Sequence, residues 1–355
     1  MQNCHAENIL EHLPYAGFVV KDYIITQLNG SAEQLQIQVG ANIRELICIG
    51  SQEYDSFRSG KLYLQLNVLG MYYHACVSPY QDAHLFCILS EYATKELHTL
   101  SIAAAHLREP LQHALTGIEQ LSENLSDTQD ATVQESLGQL NKSIYRLIRS
   151  VKNMTDASAA PTHRPDHFKR LDACAHLAEL AEKLQAQSSV LKRTFTFSGL
   201  EKSVYTMLDT NALDRGIYNL ISNAVQFSSE FSTINMKVST AGNRLFITIE
   251  NNNPSSIRTT QFFDRYLRDL TFEDSRFGIG LGLSVARNVA IAHHGTLLVT
   301  EKNANTVSCT MTLAIAEESS NILRSPHMQI DQTGGIDPFY VELSDILPDK
   351  LYRQI

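Results

Sequence analysis

Two asparagines, Asn219 and Asn223, stand four residues apart in the stretch DRGIYNLISNAVQFSS. Apolar residues recur around them at helical spacing, so both amides are expected on one face of a helix. An amide oxygen is a hard ligand that suits a Mg²⁺ ion shared with substrate phosphates. The pattern predicts a magnesium and phosphate site, and the alternative is a pair of amides satisfied inside the protein.

Three glycines, Gly278, Gly280 and Gly282, alternate in FGIGLGLSVARNVAIAHHG directly before a predicted helix. Glycine lets backbone approach a phosphate closely, and the helix N-terminus adds unpaired N–H groups and partial positive charge. No strand pattern comes immediately before the glycines and GK[ST] is absent, which excludes a dinucleotide fingerprint and a P-loop. The segment predicts either a phosphate-binding turn or a glycine-rich turn into a packed helix.

A third stretch, SIAAAHLREPLQHAL, carries Pro110 inside a helical pattern, four residues after His106. A proline in a helix interior costs about 3 kcal/mol, so a bend or bulge is expected there. Apolar residues at alternating spacings of three and four run from Leu97 to Leu121 and again from Leu137 to Met154. They predict an antiparallel helical hairpin.

One hairpin cannot bury both sides of two apolar seams. A second copy of the chain is therefore expected to complete a dimeric four-helix bundle. The alternative is that the hairpin packs against its own neighbouring domains.

The elements on either side of the hairpin must position these residues. Residues 1–90 show short segments of period two separated by glycines, which predicts a small α+β domain. From about Phe168 to Ala316 strand and helix patterns alternate, which predicts a mixed α/β sandwich. The stretch 155–166 is predicted to be a linker.

Taken together, NLISNAVQFS, FFDRYLRD and GIGLGLSVARNVAIAHHG resemble the N, F and G2 boxes of the ATP-binding domain of sensor histidine kinases. The hairpin before them resembles that family's dimerisation and phosphotransfer domain, so the resemblance covers residues 95–316. It implies ATP and Mg²⁺ as cofactors. It also implies that Asn223 binds the metal, that Asn219 lies beside the phosphates, and that the three glycines close the ATP lid.

Two motifs depart from the family pattern. The family's adenine box is Asp-x-Gly-x-Gly, whereas IENNNPSSI places Asn251, Asn253 and Ser255 at those positions. An amide oxygen can accept a hydrogen bond from adenine without the charge assistance of a carboxylate, which predicts weakened nucleotide binding. The family's phosphoacceptor helix aligns without gaps on AAHLREPL and puts Ala105 at the place of the phosphorylated histidine.

His106 then occupies the place of the acidic neighbour, on the other exposed flank of the helix. It is the candidate acceptor if one residue has been deleted, and otherwise a solvated surface histidine. In the same alignment Pro110 is the family's helix-bending proline.

Residues 1–92 resemble a PAS sensory domain, and the predicted organisation continues with a dimerisation hairpin over 93–156. A histidine-kinase-like ATP-binding domain follows over 157–318, and a C-terminal tail over 319–355 has no predicted role. The resemblance implies a sensor kinase that passes phosphate from ATP to histidine and then to the receiver domain of a response regulator. The alternative is a pseudokinase, a dimeric scaffold that binds a partner without phosphotransfer.

Composition sets outer bounds on this reading. The net charge is −9, so direct nucleic-acid binding is not expected. The six cysteines contain no CxxC pair, which argues against a zinc site and a disulfide framework. No apolar run of about 20 residues occurs, so no membrane span is expected, and a cytoplasmic location is predicted.

Overall fold

A computed structural model describes most of the chain. The described residues are Leu10, Leu13, 15–89, 91–125, 130–158, 167–252, 281–303, 305–315 and 337–353. Gly278, Gly280, Asn253, Ser255, the FFDRYLRD stretch and the first part of the tail lie outside them.

The N-terminal unit is an antiparallel sheet with short helices on one face. Its strands are β1 (Gly17–Lys21), β2 (Ile24–Leu28), β3 (Ile47–Ile49), β4 (Lys61–Val68), β5 (Met71–Tyr80) and β6 (Ala83–Ile88). Its helices are α1 (Gly30–Gln34), α2 (Ile43–Leu46) and α3 (Ser51–Ser56). The strand order is β2-β1-β6-β5-β4, with β3 paired to β4, and one core holds Phe18, Ile25 and Leu64. The predicted α+β class is confirmed, and the PAS identity stays a prediction.

Two long helices, α4 (Glu91–Asn124) and α5 (Ala131–Ser158), form the expected hairpin. Helix α4 continues through Pro110. The predicted linker start at 155 was wrong, because α5 runs to Ser158. Tertiary contacts hold this last turn, since Asp156 pairs with Arg215 and its carbonyl oxygen accepts from Asn288 Nδ2 at 2.8 Å.

The C-terminal unit is the predicted mixed α/β assembly. Its strands are β7 (Lys169–Asp172), β8 (Thr194–Ser198), β9 (Tyr205–Leu208), β10 (Thr233–Ala241), β11 (Arg244–Asn252), β12 (Leu297–Asn303) and β13 (Thr306–Ala314). Its helices are α6 (Ala173–Ala186), α7 (Ser188–Leu191), α8 (Thr210–Gln226) and α9 (Gly282–Ala292). The main sheet has the order β12-β13-β11-β10-β8, and β7 pairs with β9 in a separate ribbon.

The two sheets are continuous, because β4 of the N-terminal unit pairs antiparallel with β12. Leu298 lies opposite Leu62 at this junction. Beside it, the nearly buried carboxylate of Glu53 accepts from Thr312 Oγ1 at 2.9 Å and lies 3.2 Å from Arg244 Nε. The N-terminal unit therefore forms part of the same sheet as the C-terminal unit.

The end of the chain is folded onto the hairpin. It contains α10 (Pro338–Glu342) and a 3₁₀ turn over Asp349–Tyr352. Five of its apolar residues are buried: Phe339, Val341, Leu343, Leu347 and Tyr352. Among the helices that the structure describes, none is both long enough and apolar enough to cross a membrane.

Candidate functional site

Helix α8 carries both asparagines, as predicted. It starts at Thr210 because the side chain of Asp209 caps it, accepting from Ala212 N at 3.0 Å. Asn219 is completely buried, whereas Asn223 is half-buried one turn later. The two amides therefore share a helix but differ in their access to solvent.

The Asn219 amide is engaged on both sides by protein groups. Its Oδ1 accepts from Arg149 Nη2 at 3.2 Å and lies 3.5 Å from Asn153 Nδ2, both on α5. Its Nδ2 donates to the carbonyl oxygen of Arg215 at 2.9 Å. In this conformation Asn219 is an internally satisfied amide, the alternative raised for it above. Its place beside the phosphates stays a prediction.

Gly282 brings the start of α9 against the same amide. A Cβ built on Gly282 would lie 2.8 Å from Asn219 Oδ1, which is closer than real side chains approach. The absence of a side chain at Gly282 therefore leaves room for the Asn219 amide, and α9 begins there without a side-chain cap. The lid role implied for Gly282 stays a prediction.

Asn251 lies near the end of β11, where the adenine box was expected. Its side chain is 6% exposed, and its buried Nδ2 has no hydrogen-bond partner among the described residues. A buried amide donor without a partner costs about 1–3 kcal/mol, so native structures seldom leave one. A polar ligand edge would satisfy it.

Charged residues that sequence analysis did not single out lie on α5, on α8 and in the stretch 337–353. Arg215 on α8 pairs with Asp156 and lies 3.1 Å from the buried carboxylate of Glu342. Burial lowers the pKa of Lys152 on α5, while the charge of Glu342 acts to raise it. The apolar character of the tail indicated that it does not remain a plain disordered end, but its docking place had no local signal.

Ala105 and His106 both lie on exposed positions of α4. This confirms the exposure expected for both positions. Neither is among the groups that the structure brings to Asn219. The described residues contain no cluster of three or more His, Cys, Asp or Glu side chains that could hold a metal ion.

A family model, "Histidine kinase-, DNA gyrase B-, and HSP90-like ATPase", matches residues 208–317, from the end of β9 to just beyond β13. Sensor protein RstB of Escherichia coli is 26% identical over 197 residues, 55% of this chain and 43% of that protein. Sensor protein KdpD of Mycobacterium tuberculosis is 27% identical over 230 residues, which are 62% of this chain and 26% of that protein. Residues 208–317 thus form an ATPase domain of this type, and the chain is similar to sensor histidine kinases.

The chain spans less than half the length of those two relatives. Among solved structures, full-length ShkA in complex with AMPPNP is 19% identical, with a TM-score of 0.47, over 62% of this chain and 46% of that one. The histidine kinase ThkA in complex with the response regulator TrrA is 16% identical, with a TM-score of 0.40, over 87% of this chain and 98% of that one.

The ATPase family match over residues 208–317 implies ATP as the ligand of that domain. Of the residues predicted to bind it, the structure brings Asn219 and Gly282 into contact and places Asn223 on the same helix as Asn219. Asn251 lies on β11, with no described hydrogen bond from its Nδ2.

Proposed function

We propose that this chain binds Mg²⁺-ATP between α8, the end of β11 and the start of α9. The observation that carries the proposal is the ATPase family match over residues 208–317, which includes all three elements. The buried Nδ2 of Asn251, which has no partner among the described residues, supports it, because a base edge would supply a hydrogen-bond partner. The half-buried amide of Asn223 would supply an oxygen to Mg²⁺, which would neutralise phosphate charge.

The nucleotide site is tested by titrating a fluorescent ATP analogue in the presence of Mg²⁺. We expect Asn223→Ala to weaken binding by about tenfold or more, because loss of one good ligand to a charged centre costs at least about 1.4 kcal/mol. Asn235→Ala is the matched control, since Asn235 is an exposed asparagine on β10. Equal affinity for both variants and the unmodified chain would remove Asn223 from the site.

The proposed assembly is a homodimer through the hairpin that signals to the receiver domain of a response regulator. Its support is that large apolar side chains stay exposed on both hairpin helices: Ile102, Leu107, Leu121, Leu140 and Leu147. Ala104, Ile118 and Ile144 are buried within the chain, so the intramolecular packing uses only part of the apolar seams. A second copy of the chain would cover apolar side chains that this packing leaves exposed.

A second candidate function is that of a pseudokinase scaffold, and Ala105 favours it. In an active chain the γ-phosphoryl group would pass from ATP to a ring nitrogen of His106, breaking a P–O bond, forming a P–N bond and releasing ADP. Successive helix positions differ by about 100° around an axis whose side chains span about 10 Å, so His106 stands several ångströms from the matched position. A displacement near 1 Å can cost about a hundredfold in rate.

We therefore expect little or no acid-labile label after incubation with radiolabelled ATP and Mg²⁺. The comparison includes His106→Ala, Ala105→His and, as a control on the same exposed helix, His113→Ala. Strong label that disappears only in His106→Ala would establish His106 as the acceptor and reject the pseudokinase. Label only in Ala105→His would show a working ATP site whose native target is missing.

A further inference from the structure

The last described stretch, residues 337–353, is here named the C-terminal latch. Its helix α10 begins at Pro338, with Asp337 as the cap that accepts from Phe339 N at 2.9 Å. Leu343, Leu347 and Tyr352 are fully buried although the latch contains only short helical turns. Its burial therefore comes from the surfaces onto which it packs.

One of these surfaces is α5, the second hairpin helix. The Tyr352 ring lies 5.3 Å from that of Tyr145, and the Tyr352 carbonyl oxygen accepts from Asn141 Nδ2 at 2.8 Å. A Cβ built on Gly138 would lie 2.8 Å from the carbonyl oxygen of Asp349, so α5 carries a glycine where the latch comes closest. The latch and α5 are therefore complementary in shape, and their contact also buries apolar side chains.

The other surface is α8, the helix of the two asparagines. Phe339 packs edge to face on Tyr218, with ring centroids 5.7 Å apart. Glu342 is completely buried and lies 3.1 Å from Arg215 Nε. The latch thus contacts α5 and α8 together and joins the hairpin to the ATPase domain.

The latch also forms an ion pair with Arg149, the arginine that donates to Asn219. Asp345 forms an ion pair with Arg149 through Nη1, and the Arg149 Nη2 donates to Asn219 Oδ1 at 3.2 Å. The Arg149 side chain is 6% exposed, so it is fixed between the two partners. Asp345 supplies a carboxylate to Arg149, and Glu342 supplies one to Arg215, whose carbonyl oxygen accepts from Asn219. Phosphate oxygens would be the competing anions for both arginines.

We infer that the C-terminal latch is an autoinhibitory element that holds α5 over Asn219 and opposes nucleotide binding. This inference rests on the proposed nucleotide site. Because coupling between two binding events is reciprocal, release of the latch strengthens nucleotide binding and nucleotide binding loosens the latch. The apparent affinity of the intact chain is reduced by the fraction of molecules in which the latch is closed.

The test compares full-length variants by titration with the fluorescent ATP analogue and by hydrogen exchange over residues 138–153. Asp345→Asn removes the charge that holds Arg149, and Leu347→Asp places a charge in the buried contact of the latch. Glu230→Gln is the matched control, since Glu230 forms an exposed ion pair with Lys192. A synthetic peptide of residues 337–353 added to Leu347→Asp provides the rescue.

We expect both latch variants to bind nucleotide about tenfold more tightly, the worth of one charge-assisted contact, and to exchange faster over 138–153. The peptide should reverse both effects in Leu347→Asp, and Glu230→Gln should behave as the unmodified chain. Faster exchange with unchanged affinity would overturn the inference and leave the proposed function intact. Absence of nucleotide binding in every protein would refute the proposed function and the latch together.

Discussion

Replacement of Gly60 by alanine tests whether the N-terminal and ATPase sheets are joined in solution. Gly60 has φ +87° and stands directly before β4, where that strand pairs with β12. A Cβ at this position would lie 2.2 Å from the carbonyl oxygen of Val299. Gly70 has nearly the same φ, +85°, but nothing lies within 4 Å of its Cβ direction.

Comparison of Gly60→Ala with Gly70→Ala separates the free-energy cost of backbone strain from the cost of steric contact. A left-handed backbone costs an alanine about 1–2 kcal/mol, and this part is common to Gly60→Ala and Gly70→Ala. Only Gly60→Ala must also push β12 away by about 1 Å to relieve the contact with a backbone oxygen. Overpacking of that kind costs about 1–3 kcal/mol, so Gly60→Ala should be more destabilising by this amount.

The free energy of unfolding is measured by urea titration followed by circular dichroism, and hydrogen exchange is measured over β4 and β12. We expect Gly60→Ala to lower the free energy of unfolding more than Gly70→Ala does and to expose amides in both strands. Equal destabilisation by the two variants, with β12 as protected in Gly60→Ala as in the unmodified chain, would refute the continuous sheet.

Two further predictions concern the hairpin and one ion pair. The double variant Leu107→Glu, Leu147→Glu should be monomeric by light scattering. These residues are 48% and 51% exposed, and the introduced carboxylates would repel one another in a dimer. A monomeric unmodified chain at micromolar concentration would contradict the dimer. His176 lies 2.6 Å from Asp214, and although burial lowers its pKa, the hydrogen bond and charge of Asp214 raise it overall. Its contribution to stability should therefore be complete below about pH 6.5 and lost as pH rises through the folded-state pKa. His176→Gln should then lower the free energy of unfolding more at about pH 5.5 than at about pH 8.5. An equal loss at both pH values would contradict this assignment.

Much of the secondary structure could be read from the chain because its causes are local. Apolar spacing of three and four predicted the hairpin, period-two segments predicted the N-terminal strands, and alternating strand and helix patterns predicted the C-terminal α/β unit. The linker prediction failed at 155–158 because the contacts of Asp156 with Arg215 and Asn288, which are remote in sequence, extend α5. Local propensity contains no information about such partners.

For the site, the sequence by itself determined which residues share α8 and that Gly282 stands at the start of a helix. Only the tertiary structure decided that Asn219 is engaged by Arg149 of α5, that Asp345 holds this arginine, and that β4 joins β12. These pairings bring together segments from 70 to more than 230 residues apart along the chain. They depend on complementary surfaces that form only after each element has folded, whereas helix and strand periodicity is set by neighbours within a few residues.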